Sequence, residues 1–142
     1  MLSMQRANTN HKESIKQCFM TIFDETELKY FNRIRDFSLS YVGLDRNKAV
    51  KAFILVNESE KIADYEIAYL GVSTRYRGKG YSKILMQLVL DNLSTHTLWL
   101  NTFNDNLTAC KLYEKMGFYR IDETNSKEIV YIYDGYVSSS PK

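Results

Sequence analysis

The chain is short of cysteine, of net charge and of long apolar runs, and each shortage removes a class of protein. Its two cysteines, Cys18 and Cys110, lie far apart and outside any CxxC or Cys/His spacing. That excludes a structural zinc or a disulfide framework and leaves two reduced thiols packed on helices, with no metal expected. A formal charge of +2, from 19 cationic and 17 acidic side chains, sets up no global field for nucleic acid or membrane, so any anion must be held by local clustering. Nowhere do about eighteen apolar residues run together, and no long apolar run follows Met1 to Arg6, so the expectation is a soluble, cytoplasmic protein with no membrane partner. There is also no internal repeat, low-complexity stretch or linker. With 142 residues, 44% of them hydrophobic, one core can be filled. A single domain over residues 1–137 is expected, followed by a flexible tail at 138–142.

What is present divides by periodicity. Leu2 to Ala7 reads as a short first strand. Ile15, Cys18, Phe19, Ile22 and Phe23 then recur at helical spacing, with Asn10 as N-cap and Glu13 three residues on. Thr26 can cap a shorter helix carrying Leu28, Phe31 and Ile34. The alternation of Phe37, Leu39 and Tyr41, the turn Asp45-Arg46-Asn47-Lys48 and the run Val50 to Val56 read as a hairpin, and Asn57 to Lys61 as the next turn. Glu66 to Val72 is a strand. From Tyr81 to Leu93 runs a helix apolar over most of its surface, as burial against a sheet requires. Thr97 to Leu100 is a short buried strand. Asn106 opens a helix with Ala109, Leu112, Tyr113 and Met116 at helical spacing, which Gly117 closes. Phe118 to Ile121 and Glu128 to Tyr133 form a last strand pair. The order is strand, two helices, three strands, helix, strand, helix, two strands, which implies a mixed α/β sheet with helices on both faces.

Between the strand ending at Val72 and the helix starting at Tyr81 lies Arg75-Tyr76-Arg77-Gly78-Lys79-Gly80-Tyr81-Ser82. A strand that feeds a glycine turn opening a helix points several unpaired N–H groups at one spot, at the positive end of the helix dipole. A pyrophosphate fits there. Gly78 and Gly80 let the backbone approach an anion, while Arg75, Arg77, Lys79 and Lys83 can neutralise outlying charge. The plain alternative is a solvated basic turn. A Walker loop fails on spacing, because Gly71 is too far from Gly78 and Gly80 follows Lys79. A dinucleotide fingerprint fails because Lys83 stands where the third glycine belongs. The surviving pattern is Arg/Gln-x-x-Gly-x-Gly/Ala, met by Arg75, Gly78 and Gly80.

Downstream, Asn106-Leu107-Thr108-Ala109-Cys110-Lys111-Leu112-Tyr113-Glu114-Lys115-Met116-Gly117-Phe118 reads as Asn-x-x-Ala-x-x-x-Tyr-x-x-x-Gly-Phe. The two segments together, in this order and at this distance, resemble the GNAT superfamily of acetyl-CoA-dependent N-acetyltransferases, and the resemblance covers nearly the whole chain. It implies an α/β (α+β) fold with a central mixed sheet of six to seven strands, splayed central strands and about four flanking helices. It also implies acetyl-CoA, or coenzyme A, as co-substrate, with its pyrophosphate on the loop from Arg75 through Ser82.

The resemblance assigns roles residue by residue. Tyr113 protonates the departing coenzyme A thiolate; its ordinary pKa near ~10 keeps it protonated at neutral pH. Asn106, seven residues earlier and so on roughly the same helix face, contacts the pantetheine arm, or caps the helix, or both. The oxyanion donor is the backbone N–H of Leu70, with Gly71 and Val72 along the pantetheine. Glycine inside a strand at position 71 fits a bulge or a close approach there. The attacking ammonium must lose a proton, and Glu66, four residues before Leu70, is the candidate base; Asp64 and a water chain stay open. Thr97-Leu98-Trp99-Leu100-Asn101 resembles the fifth strand of enzymes that acetylate ribosomal-protein N-termini, but those carry a glutamate base where this chain has Asn101, so that activity is not carried over. Asp24, Glu25 and Glu27 either give the acceptor site negative charge or complement a helix dipole. Tyr131, Tyr133 and Tyr136 line the same pocket or pack a dimer interface. His11 and His96 lie outside both motifs as surface or capping residues.

The expected function is direct acetyl transfer to a primary amine: a small cationic amine or polyamine, or a protein lysine or N-terminus. The protein would act as a monomer or homodimer, without nucleic acid. Two other classes remain. One is a non-catalytic acetyl-CoA-binding regulatory module. The other is nucleic-acid binding through Arg75, Arg77 and Lys79, which lacks an extended basic face.

Overall fold

The elements appear in the expected order. In the computed structural model, which describes residues 1–59, 62–121 and 127–135, they are β1 (Ser3–Arg6), α1 (Lys12–Ile22), α2 (Leu28–Phe31), β2 (Tyr41–Leu44), β3 (Val50–Glu58), β4 (Tyr65–Val72), α3 (Tyr81–Asn92), β5 (Leu98–Phe103), α4 (Leu107–Lys115), β6 (Tyr119–Arg120) and β7 (Glu128–Tyr133). The strands form one open, mixed sheet in the order β1-β2-β3-β4-β5-β7-β6. β4 and β5 pair in parallel through Tyr65↔Leu98 and Glu66↔Trp99. The pairs β1–β2, β2–β3, β5–β7 and β6–β7 are antiparallel. The chain divides into two compact units, Met1–Asn57 with Ala68–Val89, and Glu58–Ile67 with Leu90–Lys142. The end of the turn expected before β4, Tyr136 and the expected tail lie outside the described residues.

The first unit is built on aromatic packing. Ile15, Cys18 and Phe19 form the buried face of α1, and the Phe19 ring lies 4.8–4.9 Å from Phe23, Phe31 and Tyr69. Burying one such ring is worth about 1.5–3 kcal/mol, so this cluster carries much of the unit's stability. The caps differ from those expected. Asn8, not Asn10, closes the turn into α1: its side chain accepts from Asn10 N–H at 2.8 Å while His11 Nδ1 accepts from Asn8 N–H at 3.1 Å. Asp24, not Thr26, caps the 3-10 turn Glu25–Glu27 ahead of α2. The first hairpin strand also moves, from 37–42 to Tyr41–Leu44, all four residues buried. Asp36 Oδ1 accepts from Ser38 N–H at 2.9 Å and so makes a local turn that competes with extension there. Turn 45–48 is as expected, with Asp45 accepting from Asn47 and Ala49 N–H and Lys48 in the left-handed region at φ 65°.

In the second unit β5 runs to Phe103, beyond the expected Leu100, because six residues pair in register with β7, from Leu98↔Tyr133 to Phe103↔Glu128. α4 ends in a tight Gly-Phe closure. Gly117, at φ 102°, donates to Glu114 C=O at 3.2 Å, and Phe118 donates to Tyr113 C=O at 3.0 Å. This spends the Phe118 N–H on the helix, so β6 begins at Tyr119 rather than at Phe118.

The close approach expected at Gly71 is made by side chains of the first unit. A Cβ there would stand 2.9 Å from Phe53 Cζ, 3.1 Å from Ile22 Cδ1 and 3.3 Å from Phe23 Cε2. The absent side chain is the space these rings fill. Gly71→Ala is therefore expected to lower unfolding stability by about 1–3 kcal/mol in urea denaturation; an unchanged midpoint would show that Phe53 is free to move.

Candidate functional site

In the first unit the chain leaves β4 through a 3-10 turn, Thr74–Tyr76. Three bonds fix it: Ser73 N–H to Lys51 C=O at 2.8 Å, Tyr76 N–H to Ser73 C=O at 2.8 Å, and Arg77 Nε–H to Val72 C=O at 2.9 Å. Arg77 is thus a strut of the loop as well as a cation. Gly78 and Gly80 follow at φ 76° and 86°, and a Cβ at either would meet nothing within 4 Å. Their glycine requirement is conformational, and the space before them is open. Ile84 N–H, bonded to Gly80 C=O at 3.1 Å, is the first used at the start of α3. The N–H groups of Tyr81, Ser82 and Lys83 have no intrahelical partner. Arg75, Lys79 and Lys83 are exposed and make no ion pair among the described residues. Unpaired backbone donors, a helix N-terminus and uncommitted cations suit a pyrophosphate. The Tyr81 side chain faces inward, its hydroxyl accepting from Leu2 N–H at 3.0 Å, so Tyr81 offers an anion only its backbone.

Leu70 is half-buried on β4, with Gly71 and Val72 buried after it. Its neighbour Tyr69 passed unremarked in the sequence. The Tyr69 ring packs edge-on against Phe19 and Phe23, and its hydroxyl donates to Glu27 Oε1 at 2.7 Å. Asp24 accepts from Thr26 N–H at 2.8 Å, and this bond holds its carboxyl below the usual range. Of the three acidic residues expected near an acceptor, Asp24 serves as a cap, Glu27 is held by Tyr69, and Glu25 is exposed.

The second unit holds Tyr113. It is 9% exposed, its ring edge-on to Tyr131 at 5.8 Å and tilted against Phe118 at 6.0 Å. The Gly-Phe closure of α4 places Phe118 against it, which explains physically why that pair ends the motif. Tyr131 is pinned in turn by donating to Glu114 Oε2 at 2.7 Å. The Tyr113 hydroxyl makes no hydrogen bond within the described residues, yet none of their fully buried side-chain polar atoms lacks a partner. The ring is therefore packed, while the hydroxyl is unpartnered and not fully sealed. Burial, with a smaller contribution from Cys110, pushes its pKa up to about 12. Cys110 is a buried free thiol. Asn106 caps α4, its Oδ1 accepting from Ala109 N–H at 3.3 Å, which leaves its amide N–H₂ for another partner.

Two carboxylates read from the sequence separate here. Asp64 is committed to the backbone: its Oδ2 accepts from Thr97 N–H at 3.0 Å, and its own N–H donates to Thr97 Oγ1 at 2.9 Å. It ties the start of β4 to the start of β5 through Oδ2. Glu66 is half-buried on β4, in register with Trp99. A third carboxylate escaped notice because its signal is entirely cross-strand: Glu128 Oε1 accepts from Asn101 Nδ2 at 3.2 Å. Among the described residues no cluster of three or more His, Cys, Asp or Glu could hold a metal, and no helix is long and apolar enough to cross a membrane.

The acetyltransferase (GNAT) family pattern matches residues 8–118, and the chain belongs to that family. It is 34% identical over 87 residues to N-alpha-acetyltransferase 30 of Schizosaccharomyces pombe, covering 57% of each protein. It is 30% identical over 89 residues to an uncharacterized protein of Mycobacterium leprae, covering 63% of this chain but only 22% of that one. The chain thus spans between about a fifth and three fifths of these relatives. Its fold matches that of Arabidopsis thaliana NAA60 in complex with acetyl-CoA, with a TM-score of 0.70 at 17% identity over 94% of this chain and 99% of that one.

The raised Tyr113 pKa has a measurable consequence. The folded state holds this proton more tightly than the unfolded chain, at about 12 against ~10. The associated stability, about 3 kcal/mol, is complete below pH ~10 and is lost as pH rises through about 12. Tyr113→Phe is expected to remove that part of the alkaline destabilisation, seen by comparing urea midpoints of the two proteins from pH 9 to 12. Parallel curves would mean that the phenol is not buried.

Proposed function

We propose that the protein is an acetyl-CoA-dependent N-acetyltransferase that transfers acetyl directly to a primary amine. The observation that carries this reading is Tyr113, a packed ring with an unpartnered, firmly protonated hydroxyl, because a module that only bound acetyl-CoA would need no such group. Acetyl-CoA supplies an acetyl group activated as a thioester. In the first unit, the N–H groups of Tyr81, Ser82 and Lys83 and the backbone at Gly78 and Gly80 bind the pyrophosphate, and Arg75, Lys79 and Lys83 balance its charge. Leu70 N–H donates to the thioester oxygen, with the Gly71 and Val72 backbone alongside the pantetheine arm. In the second unit, Asn106 has its amide N–H₂ to offer as a donor. Glu66 takes the acceptor's proton, directly or through water, and Tyr113 Oη holds the proton that the departing sulfur receives. The name of the fission-yeast relative, an N-alpha-acetyltransferase, supports an amine as acceptor.

A thiol-release assay over a panel of amines, with calorimetric titration of acetyl-CoA, tests the reading. Tyr113→Phe is expected to lower kcat by about a hundredfold or more while acetyl-CoA affinity changes less than threefold. Unchanged turnover would take Tyr113 out of the chemistry. Should no amine be acetylated while acetyl-CoA still raises the melting temperature, the protein is a binding module. In the same titration, Arg75→Ala combined with Lys79→Ala is expected to weaken coenzyme A binding about tenfold or more, most strongly at low salt. Unaltered affinity would move the pyrophosphate elsewhere.

A further inference from the structure

The near-balanced charge of the whole chain conceals an uneven division. The first unit carries thirteen Lys or Arg against six Asp or Glu, a formal +7, whereas the sequence of the second carries six against eleven, a formal −5. Within the first unit the excess gathers at one end. Bonds between residues remote in sequence define that end: Ser73 N–H donates to Lys51 C=O at 2.8 Å, Leu2 N–H to Tyr81 Oη at 3.0 Å, and Val50 N–H to Ser14 Oγ at 2.9 Å. They set the glycine loop beside the start of β3, the start of α3 beside the start of the chain, and the first turn of α1 beside the 45–48 turn. Ser3, Gln5, His11, Arg46 and Lys48 line an open hollow of about 440 Å³ there.

Nine of the thirteen cations belong to this end. Four are those of the loop and α3, and five lie outside it: Lys12, Lys16, Arg46, Lys48 and Lys51. Only Glu13 and Asp45 oppose them in sign. Asp45 Oδ1 is taken by the N–H groups of Asn47 and Ala49, so that carboxylate is spent on the turn even though its charge remains. Arg46 and Lys48 are exposed, and their side chains make no hydrogen bond or ion pair among the described residues. They hold no element in place, while like charges gathered at one end repel and so cost stability. The hollow is open and has the Asp45 carboxylate in its lining, so it does not form a closed anion seat. What these five cations share with the loop is a field.

A field acts before contact. Steering by charges of one sign raises association rates by roughly 10- to 1,000-fold in favourable cases, and dissociation is then left to the groups that touch the ligand. We infer that this end of the first unit is a capture surface for a polyanion arriving at the loop, and that Arg46, Lys48 and their neighbours speed the binding of acetyl-CoA without touching it. Acetyl-CoA is such a polyanion through its pyrophosphate and its ribose phosphate. The inference rests on the acetyl-CoA reading and adds to it how the cofactor is drawn in.

The test is stopped-flow association of the whole chain with the fluorescent ethenoadenine analogue of coenzyme A. One variant combines Arg46→Glu with Lys48→Asn, because asparagine accepts the left-handed backbone at position 48. A second, Lys29→Glu with Arg33→Gln, changes the net charge equally on α2. The first is expected to lower kon by about three- to tenfold at ~0.1 M salt, with koff within about twofold, and the loss should vanish at ~0.5 M. The α2 variant should stay within about twofold of wild type in kon. Binding with kon unmoved by the turn variant overturns the proposal and leaves the acetyl-CoA reading intact. Equal slowing by the α2 variant also overturns it, since net charge alone would then be responsible. A faster koff with unchanged kon overturns it in favour of direct contact. Failure of the wild-type protein to bind the analogue removes the acetyl-CoA reading and the proposal together. Salt-dependent slowing in a protein that acetylates no amine supports the capture surface while removing the acetyltransferase reading.

Discussion

The first turn of α3 cannot satisfy its own N–H groups, and the candidate site in the first unit follows from that constraint. Ile84 is the first residue whose N–H finds a helical carbonyl, so the donors before it must meet water or a ligand. Left-handed backbone at Gly78 and Gly80 keeps side chains out of that space. Arg77 spends a donor on Val72 C=O to hold the turn, and the Tyr81 hydroxyl takes up Leu2 N–H. The loop is therefore tied to the strand before it and to the residue ahead of β1, while its leading N–H donors stay uncommitted.

The second unit works by a comparable division of labour. α4 is closed by Gly117 because its left-handed backbone lets the Phe118 N–H return to the helix. That closure sets Phe118 against Tyr113, and Tyr131, held by Glu114, supports the ring from β7. Packing that stabilises the helix end is thus the same packing that desolvates the phenol and raises its pKa. Stability and the proton affinity of the phenol share one set of contacts.

Element order was legible because it is written in local periodicity, and both motifs were legible because each lies on one turn-and-helix segment. Where the expectation failed, a competing bond lay outside the segment being read or used a neighbouring side chain. Asn8 displaced Asn10 as a cap once His11 could complete a reciprocal pair. Strand β5 outran its apolar core because β7 pairs with it to Phe103. Gly71 read as a bulge or a close approach, and the approach is made by side chains remote in sequence, Phe53, Ile22 and Phe23. Asp64 read as a possible base, yet Thr97, 33 residues away, commits it to the backbone. Glu128 gave no local signal at all, since its partner Asn101 lies 27 residues earlier.

The sequence alone determined membership of an acetyltransferase family: the loop from Arg75 through Ser82 and the segment from Asn106 to Phe118 carry their geometry in residue spacing. Tertiary structure decided which polar groups remain uncommitted, which carboxylates are spent on the fold, and how firmly Tyr113 holds its proton. Burial and cross-strand pairing belong to the folded chain, because they depend on residues that meet only after the strands have found their register.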